Sequence, residues 1–319
     1  MKPSYKTLSL FLLLCLVFIT NTCLSKDPTS LVRISSPFQD LWLFSNIRLP
    51  RLLLAMLTGA GYGLTGLLLQ TYLRTPLADA NLIGLGSFAA LGTLIGLAIG
   101  IQNSALLILC ACFCTLLIPI FYHYFLQHRI GQTFLVLMGL CLTTFVQGLV
   151  SLLIYIIHQN FPLSEMLFWL FGSFGFHTLD DVMLILPPLT IGFLLLFHKR
   201  QQYNFLCLSN ESIFASGIQL GPLGLRLVLG CTLILGPIIA MTGLIGFIGI
   251  GVPHVIRLLY HKPPSHLMIP CMIAGAILCL VADMLVRLLP LSYEINVGIF
   301  IALINAPVFI HLLWSRSHA

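Results

Sequence analysis

Long apolar runs separated by short polar segments dominate this sequence. Runs of about 18 to 20 apolar residues recur along the 319-residue chain, which is the length that crosses the hydrocarbon core of a bilayer as a helix. The pattern predicts an all-α polytopic membrane protein with about ten transmembrane helices, one of them short, in a single transmembrane domain over 1–319. The predicted spans are 7–24, 51–70, 82–101, 104–125, 132–157, 183–198, 227–247, 251–260, 267–288 and 295–314.

Composition supports the membrane class. The chain is 59% hydrophobic and only 8% charged, against roughly 25% charged residues in a typical soluble domain. A soluble fold of this size needs more charged surface to cover its core. The formal net charge of +6 is explained by cytoplasmic loops that face anionic membrane lipid. We therefore predict no nucleic-acid partner.

Two segments between the spans have a character of their own. The segment 164–176, "SEMLFWLFGSFGF", is too short and too interrupted by glycine to span, so we interpret it as re-entrant or interfacial. The longest polar loop, 199–226, contains "SNESIFASG", which predicts a short helix that ends at Gly217. This loop is either a structured linker or a docking helix for a cytoplasmic partner. The first run begins like a signal peptide but lacks an A-x-A-like cleavage site, so we interpret it as an uncleaved span.

The distribution of lysine and arginine predicts that both termini lie in the cytoplasm. Ten of the 15 basic residues then face inward, as the positive-inside rule expects. Three of the outer residues, Arg48, Arg51 and Arg287, stand at helix ends where the rule disfavours them, which suggests a function. The inner set is Lys2, Lys6, Arg74, Arg129, Lys199, Arg200, Arg226, Arg257, Lys262 and Arg316, and the outer set is Lys26, Arg33, Arg48, Arg51 and Arg287.

Motifs for catalysis are missing from the sequence. There is no G-x-x-x-x-G-K phosphate loop, no H-E-x-x-H and no G-x-S-x-G, so we predict a protein that is not an enzyme and that has no cofactor or metal. Asp283 and Arg287 are four residues apart and can pair on one helix face. Few other carboxylates fall within spans, whereas ion-coupled transporters keep them near the midplane. This favours transport driven by a separate subunit, with an ion-coupled secondary transporter as the alternative of another class.

Four sequence blocks resemble one known family. The stretch "GLIGFIGIGVPHVIRLL", residues 243–259, resembles the G-x-I-x-F-V-G-L-x-x-P-H-x-x-R signature of the iron-siderophore/vitamin B12 permeases, the FecCD-type subunits of bacterial ABC importers. Residues 48–92, 275–287 and 293–313 are similar to the family's other blocks in order and spacing. The resemblance therefore covers about 48–313 and includes "RLPR" at its start.

The resemblance implies a type II ABC importer permease in the bacterial cytoplasmic (inner) membrane. Two copies, or a pair of related permeases, would form the pathway, with two ABC ATPase subunits on the inside and a substrate-binding protein outside. The expected substrate is an iron complex such as a siderophore or haem, with vitamin B12 as the alternative within the family. The arginines at positions 48, 51 and 287 match those that meet acidic residues of the binding protein; anchoring at lipid headgroups is the alternative.

Other residues carry over by position. The signature or gating residues would be Gly249, Pro253, His254, Arg257 and Asp283, although His254 can also be read as a helix-start residue beside Pro253. The segment that matches the ATPase-coupling helix includes Glu211, Ser212, Ala215 and Gly217, of which only Glu211 and Gly217 match the family pattern. Further departures from the pattern are Thr75, Asn296 and Asn305.

Overall fold

Within the residues that the structure describes, ten α-helices follow one another along the chain in this computed structural model. They are α1 Tyr5–Cys23, α2 Leu49–Leu73, α3 Leu85–Ala98, α4 Ser104–Gln127, α5 Gln132–Ile157, α6 Leu179–His198, α7 Leu220–Thr242, α8 Ile248–Tyr260, α9 Pro264–Leu288 and α10 Val297–Ser317. The structure describes residues 5–26, 32–34, 42, 44–101, 103–127, 132–158, 166, 169–175, 177–208, 217, 219–289 and 296–317.

Short elements join these helices. Two three-residue strands, β1 Leu24–Lys26 and β2 Val32–Ile34, pair antiparallel between α1 and α2 and were not predicted. A π-helical turn, Phe44–Arg48, leads into α2. The 3₁₀-helices Ala80–Ile83 and Arg200–Cys207 precede α3 and follow α6.

The structure confirms the predicted membrane architecture. Among the helices of the described ranges, seven are long and apolar enough to cross a bilayer, and the apolar segments Leu85–Ala98, Ile248–Tyr260 and Val297–Pro307 are shorter. Each predicted span has its helix, so the all-α class and the number of about ten are confirmed for the part of the chain described.

The boundaries of α7 differ most from the prediction. The helix begins at Leu220 and ends at Thr242, whereas the pattern predicted 227–247. Pro222 lies in the first turn, where its missing N–H costs no helical hydrogen bond. The helix ends at Gly243, whose φ is +71°; a Cβ there would lie 1.9 Å from the carbonyl oxygen of Trp169, so only glycine fits.

The helices α2 and α7 form the centre of the protein. In each of these two helices, 78% of the residues in the apolar 18-residue stretch are buried, against 22–28% in α1, α4, α5 and α6. The outer helices expose large apolar side chains such as Phe113, Tyr155 and Leu194, and such a surface suits contact with lipid tails.

Glycines allow α2 and α9 to pack backbone against backbone. A Cβ on Gly59 would lie 2.1 Å from the carbonyl oxygen of Gly275, and one on Gly275 would lie 2.0 Å from that of Gly59. Small residues at such crossings let membrane helices approach closely. This contact places the start of α2 beside the end of α9, where the predicted arginines lie.

The described part of 164–176 packs on the ends of two helices. Trp169 Nε1 donates to the carbonyl of Ala240 (3.3 Å), and the N–H of Ser173 donates to that of Thr242 (2.9 Å). The N–H of Gly298 donates to the carbonyl of Gly172 at 3.4 Å. Its irregular backbone therefore bonds to neighbouring protein, as non-helical backbone at membrane depth requires. A re-entrant or interfacial position remains a prediction.

The predicted coupling segment falls mostly outside the described residues. The predicted coupling residues outside the described part are Glu211, Ser212 and Ala215. Gly217 is described and has a φ of +71°, the left-handed conformation typical of a helix end.

Candidate functional site

The helix α2 has cations at both of its ends. Arg48 is its N-cap residue and Arg51 lies in its first turn, while Arg74 is its C-cap residue. Pro50 lies in the first turn, where a residue without an N–H is accepted. We call these the Arg51 end and the Arg74 end of α2.

At the Arg51 end, one carboxylate serves two arginines. Arg51 Nε donates to Asp283 Oδ1 at 2.7 Å, and Arg287 Nε lies 3.1 Å from Asp283 Oδ2. The side chain of Asp283 is fully buried, whereas those of Arg51 and Arg287 are 12% and 21% exposed. The pairing predicted between Asp283 and Arg287 is confirmed, and Arg51 joins it from α2. We call Arg51, Asp283, Arg287 and Asn21 the Asp283 network.

The network also holds α1. Asn21 is fully buried; its Nδ2 donates to the carbonyl of Leu280 (3.1 Å), and its Oδ1 accepts a hydrogen bond from Arg287. Arg48 Nη1 donates to the carbonyl of Thr22 at 3.2 Å. Three helices are therefore tied together by polar groups. Sequence reasoning missed Asn21, although a buried asparagine within an apolar span is itself a signal of a specific contact.

Four of the five predicted signature or gating residues lie on α8, which packs on α2, while Asp283 lies on α9. Pro253 cannot donate to the carbonyl of Gly249 four residues earlier, and Gln70 Nε2 donates to that carbonyl instead, at 3.0 Å. A Cβ on Gly66 would lie 2.2 Å from the same oxygen. Gly249 and Pro253 on α8 therefore pack against Gly66 and Gln70 on α2. Sequence reasoning had not singled out Gln70 as a site residue.

Two further signature residues lie on the same helix. His254 is buried, 5% exposed, among the residues that face the protein interior. Arg257 Nη2 lies 3.2 Å from Thr71 Oγ1 and 3.4 Å from the carbonyl of Leu67, so it binds the last turns of α2. Lys6 Nζ donates to the carbonyl of Leu259 at 2.6 Å. The start of α1, the end of α2 and the end of α8 thus share one end of the molecule.

Asp79 is a buried carboxylate that sequence reasoning did not assign to a site. It is 5% exposed, and its Oδ1 has no hydrogen-bond partner among the described residues. A Cβ on Gly249 would lie 2.1 Å from this oxygen, so glycine is required there. Burial raises the pKa of Asp79 to about 6, and a hydrogen bond from the Ala80 N–H offsets part of that rise.

A cavity of about 650 Å³ lies at the Arg74 end. We call it the cationic cavity. It lies between α2, the 3₁₀-helix Arg200–Cys207, α8 and α9, and its lining includes Gln70, Thr71, Arg74, Arg257, Lys262 and Leu267.

Comparison with known proteins settles the family. Residues 7–315 match the FecCD transport family. The chain belongs to this family. A permease of a vitamin B12 import system, BtuC of Salmonella paratyphi A, is 32% identical over 96% of the chain and 94% of its own length. A Helicobacter pylori protein, named as a permease of an iron chelatin transport system, is 32% identical over 84% of the chain and 81% of its own length.

Solved structures agree with this family. An inward-facing transporter described as of the metal-chelate ABC type has a TM-score of 0.86 and 28% identity, over 98% of this chain and 99% of that one. PsaBC from Streptococcus pneumoniae, in complex with an antibody fragment, has a TM-score of 0.55 at 15% identity, which supports the fold alone.

Membership fixes the general function. The chain is a multi-pass membrane permease of an ABC importer, a translocation subunit, and a separate ATPase hydrolyses ATP. An importer of this kind works with ATPase, substrate-binding and second permease subunits. The ion-coupled alternative is therefore set aside.

Proposed function

We propose that the chain is the permease of an importer for an iron complex, such as a siderophore or haem. The observation that carries the proposal is the match to the metal-chelate type transporter, which covers 98% of this chain with a TM-score of 0.86. The similarity to the H. pylori iron chelatin permease supports the same substrate class.

Vitamin B12 is the second candidate. The Salmonella B12 permease matches a larger share of the chain, 96%, than the iron chelatin permease does, 84%, at the same 32% identity. Both substrates are bulky metal complexes, so shape alone does not separate them.

Transport by the reconstituted importer tests the two candidates. The permease would be placed in liposomes with its ATPase and binding protein, and uptake of ⁵⁵Fe-siderophore, haem and ⁵⁷Co-cobalamin would be measured with ATP and with ADP. We expect ATP-dependent uptake of one iron complex and none of cobalamin. Uptake of cobalamin alone would replace the iron proposal with the B12 one.

We also propose that the arginines at the Arg51 end, Arg48, Arg51 and Arg287, dock the binding protein. Together with Asp283 they carry a net charge of +2, three positive charges less one. Guanidinium groups pair well with carboxylates, and the bonds to Asp283 and Asn21 hold two of them in place. This requires the Arg51 end to face outward and both termini to face the cytoplasm.

Charge reversal at Arg48 tests docking with less disturbance of the Asp283 network, because Arg48 Nη1 donates to the carbonyl of Thr22, whereas Arg51 and Arg287 contact Asp283 directly. Arg48→Glu should weaken binding of the binding protein by about 30-fold or more, since the loss of an interface charge costs ~2–5 kcal/mol. The ATPase should remain bound. Lys6→Glu, at the other end of the molecule, is the matched control. Equal affinity for all three proteins would favour the lipid-anchor alternative.

The remaining residues have proposed roles at the Arg74 end. The loop 199–226, with Glu211, Ser212, Ala215 and Gly217, would couple to the ATPase. Movement of α2 and α8 as one unit, joined at the contact of Gly249 with Gly66, would then open or close the pathway between two permease copies. The close fit of this contact supports its role as a unit that moves together.

A further inference from the structure

The cationic cavity gathers three positive side chains. Arg74, Arg257 and Lys262 all line it, although they come from the end of α2, the last turn of α8 and the link from α8 to α9. Arg74 and Lys262 are exposed and Arg257 is half-buried, so a ligand can reach the charges from outside.

No described carboxylate balances these charges within the cavity. The carboxylates of the described residues are Asp79, Asp180, Asp181 and Asp283, and none of them lines it. The cations bind neutral oxygens instead. Arg74 donates to the carbonyls of Leu206 (3.2 Å) and Leu208 (2.6 Å), and Arg257 bonds to α2 as described above.

These hydrogen bonds to neutral oxygens orient the guanidinium groups of Arg74 and Arg257 but do not neutralise their positive charge. Arg74 also holds a left-handed backbone conformation, with φ +51°, in which a residue with a side chain is strained. Lys262 makes no hydrogen bond or ion pair with the described residues. The structure therefore provides a preformed pair of arginines and a lysine that can adapt to a ligand.

The position of the cavity indicates what the ligand is. It lies where α2 ends at Leu73 and α9 begins at Pro264, which is the level of the lipid headgroups for helices that span the bilayer. Leu206 and Leu267 add apolar wall beside the cations. Basic pockets between membrane helices bind anionic headgroups, and arginine matches phosphate oxygens in pairs.

We propose that the cationic cavity binds a phosphate group, and that its source is the headgroup of an anionic phospholipid. Gln70 and Thr71 supply polar groups beside the arginines. A bound headgroup would join α2 to α8 and to the start of α9. It would thus hold the signature helix at the end opposite the Asp283 network. This inference does not depend on the transported substrate.

Lipid retention by the purified importer complex tests the proposal. The complex would be placed in nanodiscs of phosphatidylcholine with increasing phosphatidylglycerol, and lipids kept by the permease would be counted by native mass spectrometry. Lys262→Gln should weaken retention of phosphatidylglycerol about fivefold, the effect of one basic residue on an anionic lipid. Lys262→Arg should restore it. Lys6→Gln, a change of another exposed lysine outside the cavity, should behave like wild type.

A second arm separates the two sources of phosphate. Inorganic phosphate would be titrated into the complex in phosphatidylcholine alone by calorimetry. Binding of free phosphate that Lys262→Gln weakens, without selective lipid retention, would support a phosphate site but assign it to a soluble ligand. If Lys262→Gln changes neither measurement, or if Lys6→Gln changes each measurement as much as Lys262→Gln does, the proposal is overturned.

Discussion

The two ends of α2 carry similar cations in opposite electrostatic settings. At the Arg51 end, the buried Asp283 carboxylate neutralises one of two arginines and holds both in place. At the Arg74 end, two arginines and a lysine line a cavity without a described carboxylate. The difference lies in the counter-ion: Arg51 and Arg287 pair with a buried carboxylate, whereas Arg74 and Arg257 bond to neutral oxygens of the described residues.

The same helix links the two ends mechanically. At the Arg51 end α2 bonds to α9 and α1, and near the Arg74 end it bonds to α8 through Gln70 and Arg257. Its middle touches α9 at Gly59 without intervening side chains. The helix α2 is therefore held by neighbouring helices along its whole length, so that a displacement at one end is passed to the other.

The largest effect should come from removing the shared counter-ion. Asp283→Asn leaves Arg51 and Arg287 close together at a site where their partner was fully buried. Breaking a buried ion pair by removing one partner costs about 3–5 kcal/mol. We expect the free energy of unfolding, measured by denaturant titration in detergent micelles, to fall by about that amount.

Asp180→Asn is the matched control for Asp283→Asn, since Asp180 is exposed on α6. A loss of less than about 1 kcal/mol for Asp283→Asn, the range of exposed ion pairs, would show that solvent or headgroups stabilise the arginines. The two ends of α2 would then not differ in whether a buried counter-ion stabilises their arginines.

Much of the fold could be predicted because apolar length alone determines a span. The prediction for α5, 132–157, agrees with the structure at both ends. The prediction for α7 was seven residues late at its start, because 199–226 was interpreted as one loop, whereas the helix begins at Leu220 and accepts Pro222 in its first turn. The hairpin of β1 and β2 has three residues in each strand, which is too short for a periodicity signal.

The contacts of the candidate site were less predictable. The pair of Asp283 and Arg287 follows from their spacing on one helix. The pairing of Arg51 with Asp283 joins residues 232 positions apart, and one sequence contains no signal for it. Gln70 became a partner of Gly249 only because Pro253 leaves that carbonyl without its helical donor. Such contacts depend on how helices cross, which hydrophobic pattern does not determine.

A smaller effect is expected from Asp79, the carboxylate at the Arg74 end that turns toward Gly249 and does not line the cavity. Burial raises its pKa from 3.8 to about 6, so the folded state favours the protonated acid. Its contribution to stability is therefore full below pH 3.8, falls as the pH rises from 3.8 to 6, and is lost above pH 6.

Asp79→Asn keeps the shape of this side chain without the titration. We expect the variant to be more stable than wild type at pH 7, by on the order of 3 kcal/mol, and the difference to shrink toward pH 4. The measurement is the free energy of unfolding of both proteins from pH 4 to 7, with Asp180→Asn as the control for the loss of one charge. A difference that does not vary with pH would mean that Asp79 stays ionised through a positive partner, and the cations at the Arg74 end would then have a carboxylate after all.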